Sequence, residues 1–165
     1  MDAIEEIKMA QTYLMHEINR TFEELTKKLQ NMDVTQIAAG KEYETIFPLS
    51  TDPAIFKGRK PTFVLFGEER FVANTWKTVF KLIIQRCNSN ARNHKALMEL
   101  RNKILGRERI LLSDDPRDMY RPFQIDKKLY AETHYDTESL LRILLHRILD
   151  EVGFDYDNIS VAVRN

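Results

Sequence analysis

The sequence predicts an α+β fold: a small sheet of two hairpins plus a closing strand, packed with helices and preceded by a long N-terminal helix. Three observations carry this expectation. Residues 1–33 hold an apolar stripe at helical spacing with no proline or glycine. TFVLF, RFVA, ERILL, KLYAETH and ISVAV are short β-rich runs separated by turn residues. Between them stand segments with three- and four-residue apolar spacing behind Asn, Thr or Asp caps. The resulting order, β-β-α-α-β-β-α-β, describes one α+β domain.

In the N-terminal helix the stripe is Ile4, Ile7, Leu14, Ile18, Phe22, Leu25 and Leu29, interrupted by Gln11. Only its first half keeps a coiled-coil rhythm, because Thr21 and Lys28 then reach the seam while Phe22 and Leu29 lie beside it. A helix of this length needs somewhere to bury such a stripe. We expect Ile4, Ile7, Leu14, Ile18, Phe22 and Leu25 to serve dimerisation or the docking of a partner, with packing on the chain's own domain as the alternative. Residues 34–58 read as a connector, since IFPLSTDPAIFKGRKP brings three prolines and a glycine. Its apolar residues Ile46, Phe47, Leu49, Ile55 and Phe56 suggest an extended path over the surface of the main domain.

The main domain is expected over 59–165. TFVLF and RFVA form a hairpin around GEE. Asn74 or Thr75 caps a helix from Trp76 to about Arg86, whose inner face holds Trp76, Val79, Phe80, Ile83 and Ile84. A second helix spans about Asn93–Leu105 with Gly106 as its C-terminal stop. ERILL follows as a strand, so Arg107 and Arg109 share one outer face. SDDP turns the chain, KLYAETH returns, and Asp136 caps a third helix that Gly153 ends. ISVAV closes the sheet.

Net charge is zero by cancellation. Residues 1–56 carry ten acids and five bases, residues 57–109 four acids and thirteen bases, and residues 110–165 eleven acids and seven bases. An anionic partner for the middle segment is one reading, and basic and acidic segments folding against each other is the other. No apolar run is long enough to span a membrane, and the acidic, amphipathic start is unlike a signal peptide. With a single cysteine, Cys87, no internal disulfide can form. We therefore expect a cytoplasmic protein of bacterial or phage-like type.

Catalytic patterns are lacking, and we expect neither an enzyme nor a cofactor or metal. His16, His94, His134 and His146 stand in no metal-binding spacing. Cys87 follows Arg86 at a helix end, where the dipole opposes a thiolate. Asp114, Asp115 and Asp118 surround Pro116 as turn residues. No glycine-rich loop joins a strand to a helix. The basic residues are more informative: Arg59, Lys60, Arg101, Lys103, Arg107 and Arg109 offer donors to phosphates, Tyr120, Tyr130 and Tyr135 stand nearby as stacking surfaces, and His134 is a further candidate contact. The same residues also suit a solvated edge strand.

Three segments, KPTFVLFGEERFVANTWKTVFKLII, GRERILLSDDPRDMYRPFQI and LYAETHYDTESLLRILLHRILDEVGFD, resemble the RAMA (restriction enzyme and adenine methylase associated) module. The shared features are the Lys-Pro opening, Phe-Gly-Glu in the hairpin, Trp entering a helix, Gly-Arg-x-Arg, Ser before the acidic Pro turn, and Tyr-x-Glu-Thr before the last helix. The resemblance covers about residues 59–163. It implies a small α+β domain that binds DNA, modified DNA included, beside nuclease or methylase domains. Family members place asparagine and serine after Glu-Thr, whereas His134, Tyr135 and Asp136 stand here. The expected function is a nucleic-acid-binding accessory or regulatory protein of a restriction or mobile-element system, acting in phage defence as a homodimer. The alternative is a protein-binding adaptor or inhibitor docking through the N-terminal helix.

Overall fold

The computed structural model describes residues 2–31 and 44–164, with side chains for 2–28 and 44–164. The chain divides into two compact units, Met1–Lys41 and Glu42–Asn165. Residues 32–33 of the expected helix, the Leu29 side chain and residues 34–43 of the expected connector lie outside the described residues.

The first unit is the helix α1, Ala3–Asn31. Glu5 and Glu6 in its first turn and Lys28 in its last complement the helix dipole. The Asp2 carbonyl starts the ladder by accepting from the amides of Glu5 and Glu6. All six residues of the expected contact stripe, Ile4, Ile7, Leu14, Ile18, Phe22 and Leu25, are exposed.

The second unit is α+β, with two antiparallel sheets where the sequence suggested one. The larger sheet has the order β1-β7-β2-β3, formed by β1 Glu44–Pro48, β2 Lys60–Phe66, β3 Glu69–Val72 and β7 Ile159–Arg164. The smaller has the order β4-β6-β5, formed by β4 Leu112–Ser113, β5 Pro122–Asp126 and β6 Leu129–Glu132. Helix α2, Trp76–Asn88, packs on both β2 and β5 and so joins the sheets through one core. Thr75 caps it, its side chain accepting from the Thr78 amide. Helix α3, Ala91–Leu100, follows. Helix α4, residues 137–152, is α-helical over Thr137–Arg142, π-helical over Ile143–Leu149 and α-helical again over Asp150–Val152. Asp136 caps its start, and Gly153 ends it at φ 75°, a left-handed conformation that favours glycine.

Four boundaries differ from the sequence reading. The compact unit takes in residues 44–58, assigned above to the connector: β1 pairs with β7, and Leu49 and Phe56 are wholly buried. Pro48 and Pro53 do not exclude this, because each stands where a missing amide is harmless. Pro48 ends an edge strand, and Pro53 opens a 3-10 turn over Pro53–Phe56 capped by Asp52. As a result the closing strand β7 lies between β1 and β2. Secondly, α3 runs from Ala91 to Leu100, not to Leu105. Asn90 supplies an earlier cap, and the chain leaves the helix through a turn with Asn102 at φ 61°. Thirdly, PFQID is strand β5, since proline is tolerated as a first strand residue and the alternation sets Ile125 in the core. The partner of KLYAETH in the hairpin is thus β5, while ERILL contributes only Leu112 to the two-residue β4 on the other side of β6. Fourthly, Gly106 stops no helix, and Arg107 and Arg109 do not lie on a strand.

Trp76 is 9% exposed; its indole N–H donates to the Arg59 carbonyl at 2.8 Å, and its ring lies 5.0 Å from that of Phe56. Trp76→Ala should cost about 3–5 kcal/mol by opening a cavity. Urea unfolding followed by circular dichroism tests this, and an unchanged midpoint would remove Trp76 from the core.

Candidate nucleic-acid interface

Glu132 ends β6 in a position 1% exposed to solvent. A buried carboxylate must be satisfied by donors or lose its charge. Here four backbone amides supply them: Tyr120 at 2.6 Å, Arg121 at 2.9 Å, Thr133 at 3.0 Å and His134 at 2.9 Å. Burial pushes the Glu132 carboxyl up, but these four hydrogen bonds outweigh it and hold the group below the ordinary glutamate range. Thr133 reinforces the junction, its hydroxyl donating to the Arg121 carbonyl at 2.8 Å. The Glu-Thr pair thereby ties the segment entering β5 to the segment leaving β6.

The side chains set by this junction form a layered group. The Tyr120 and His134 rings lie 4.4 Å apart at 43°. The Arg109 guanidinium stands 4.6 Å from the Tyr120 ring centre and 3.9 Å from Glu132 Oε2. Both rings are exposed, as are Arg107 and Arg121. Such a group presents cations, aromatic faces and hydrogen-bonding edges to one ligand.

Arg107 and Arg109 reach this place on a tight turn. The Gly106 amide donates to the Arg109 carbonyl at 2.7 Å, and Leu105 bridges to Ile110. From α4, Arg147 donates to the Leu105 carbonyl at 3.0 Å. Gly106 allows close approach: a Cβ there would lie 2.8 Å from Tyr135 Oη, 3.1 Å from a Leu111 methyl and 3.2 Å from the Arg109 carbonyl oxygen. The inner residues after the turn are Leu111 and Leu112, both buried, whereas Ile110 is half-buried.

The eight residues singled out in the sequence do not form one cluster. Arg107, Arg109 and His134 belong to the Glu132 end of β6. Arg101 serves the opposite end, donating to the Lys128 carbonyl at 2.7 Å, while its buried Nε has no partner. Lys103 is exposed in the turn that follows, and Tyr130 lies half-buried in mid-strand between Ser113 and Gln124. Arg59 and Lys60 sit on the larger sheet, where the Arg59 guanidinium lies 5.1 Å from the Phe47 ring centre and Lys60 pairs in register with Arg164. Glu132 and Arg121 were not singled out as site residues. The signal for Glu132 was a carboxylate in a strand whose neighbours are apolar.

The remaining candidates have structural surroundings. Cys87 is buried, which pushes its thiol up to about 12. His94 lies 2.7 Å from the Asn88 side chain, and His146 lies 3.0 Å from Asp150. Asp115 caps the 3-10 turn Pro116–Asp118 and is held by Arg117, whose hydrogen bonds keep its carboxyl down at about 2. Among the described residues, no group of three or more His, Cys, Asp or Glu is placed to hold a metal, and no helix is long and apolar enough to cross a membrane. Comparison with protein-family models, curated proteins and solved structures returned no match, so the likeness to the RAMA module rests on the quoted motifs alone.

Proposed function

We propose that the second unit is a non-enzymatic nucleic-acid-binding module, acting as an accessory or regulatory protein in a restriction or mobile-element system. The observation that carries this reading is the Arg109–Tyr120–His134 group held on the Glu132 junction, with Arg107 and Arg121 exposed at the same end of β6. Aromatic faces stack on bases, and guanidinium groups pair with phosphates. Because Arg109 is engaged by Tyr120 and Glu132, the backbone contacts fall to Arg107 and Arg121. The double variant Arg107→Gln, Arg121→Gln should stay folded and bind all sequences more weakly. Its affinity should depend less steeply on salt, by about two phosphate contacts. Titration of duplex and single-stranded oligonucleotides across salt concentrations is the measurement. An unchanged slope, or no binding by the parent at low salt, would overturn the proposal. The exposed stripe on α1 favours a second reading, a protein-binding adaptor or inhibitor; a monomer that acquires a mass only with a foreign protein would select it.

A further inference from the structure

Between Ile4 and Leu25, and with Met15 counted beside Leu14, the apolar stripe of α1 is close to its own mirror image along the chain. Counting from a midpoint between Leu14 and Met15, reversal exchanges Ile4 with Leu25, Ile7 with Phe22, Gln11 with Ile18, and Leu14 with Met15. The seven apolar members are between 48% and 66% exposed. Residues eighteen apart on a helix of about 3.6 residues per turn lie along one line. Ile4 therefore stands in line with Phe22, and Ile7 with Leu25. The stripe runs straight instead of winding as a heptad seam would, which is why Thr21 and Lys28 fall off it.

We propose that α1 pairs antiparallel with α1 of a second copy, about a two-fold axis passing between Leu14 and Met15. A two-fold contact brings the same patch of both copies together, so each residue i on one faces j on the other and the reverse. A stripe that survives reversal meets this requirement except where Gln11 faces Ile18. The ends agree as well. The same reversal brings the acidic first turn beside the last turn, which carries Lys28. Antiparallel dipoles attract, whereas a parallel pair would place the two acidic turns side by side. Glu5, Glu6, Glu23 and Glu24 point away from the stripe at helical spacing, so their exchange brings no like charges into the seam. From Ile4 to Leu25 the contact extends about 32 Å. Two such stripes face to face bury on the order of 1,200 Å² in total, at the lower end of specific interfaces.

Sedimentation and site-directed crosslinking of the full chain test the pairing. The parent should sediment at twice its 19.5 kDa. With a short bismaleimide, Leu14→Cys should crosslink between copies. Ile4→Cys should not, since the two copies of that position stand about 32 Å apart. The double variant Ile4→Cys, Leu25→Cys should crosslink, while the parent's buried Cys87 serves as the background. Ile7→Glu with Ile18→Glu should give a monomer that keeps its β-sheet circular dichroism. A monomeric parent, crosslinking of Ile4→Cys alone, or a dimer that survives the two glutamates would each overturn the proposal.

Discussion

Glu132→Gln should destabilise the second unit by about 2–3 kcal/mol at neutral pH without unfolding it. Glutamine keeps one acceptor oxygen. If that oxygen stays with the amides of Arg121, Thr133 and His134, the NH2 group takes the place of Oε2. A donor then faces the Tyr120 amide, which now lies 2.6 Å from a carboxylate oxygen, and the Arg109 guanidinium loses its anionic neighbour. An amide left without a partner in a dry site costs more than the bond it replaced contributed. The pH dependence has a definite sign. The folded carboxyl lies below the 4.5 of an ordinary glutamate, so its stabilisation is complete above that value. It is lost as pH falls through the lower folded value. The gap between parent and variant should therefore be full at pH 7 and close in acid. Urea unfolding at neutral and acid pH measures it, and equal midpoints at neutral pH would show that Glu132 does not hold the junction.

A chain starting at Lys57 should fail to fold cooperatively, while one starting at Glu44 should fold. The shorter chain lacks β1 and the 3-10 turn, and with them Leu49 and Phe56, both wholly buried. Losing a buried leucine costs about 2–5 kcal/mol and a buried phenylalanine about 3–5. Their sum is comparable with the whole stability of an ordinary domain. The deletion also leaves β7 with one paired edge, and it removes Asp52, which holds Arg142 of α4 at 2.9 Å. Thermal melts of both chains by circular dichroism decide the matter. A sharp transition of the shorter chain at the same temperature would show that residues 44–56 lie on the domain without supporting it.

The helices were legible because their signals are local. A cap, an apolar period and a stop lie within one run of chain, as Thr75 with Trp76 to Cys87 and Asp136 with Gly153 illustrate. Where two local signals competed, the reading slipped. Asn93 offers a local start for α3 although Asn90 caps it, and Gly106 resembles a helix stop because glycine commonly serves as one. Its actual service, allowing Tyr135 and the Arg109 carbonyl to come close, depends on a residue far along the chain.

By itself the sequence determined that the chain is α+β, that it opens with a long amphipathic helix, and that hairpin β2–β3, helices α2 and α4 and strand β7 exist roughly where they do. These follow from side-chain periodicity and backbone preference, which act between near neighbours. The tertiary structure alone decided that residues 44–58 belong to the core, that two sheets replace one, and that Arg109, Tyr120, Glu132 and His134 meet. Strand pairing and burial join residues distant in sequence, so no local pattern encodes them. A glutamate among apolar strand residues becomes intelligible only when four amides from two segments converge on it.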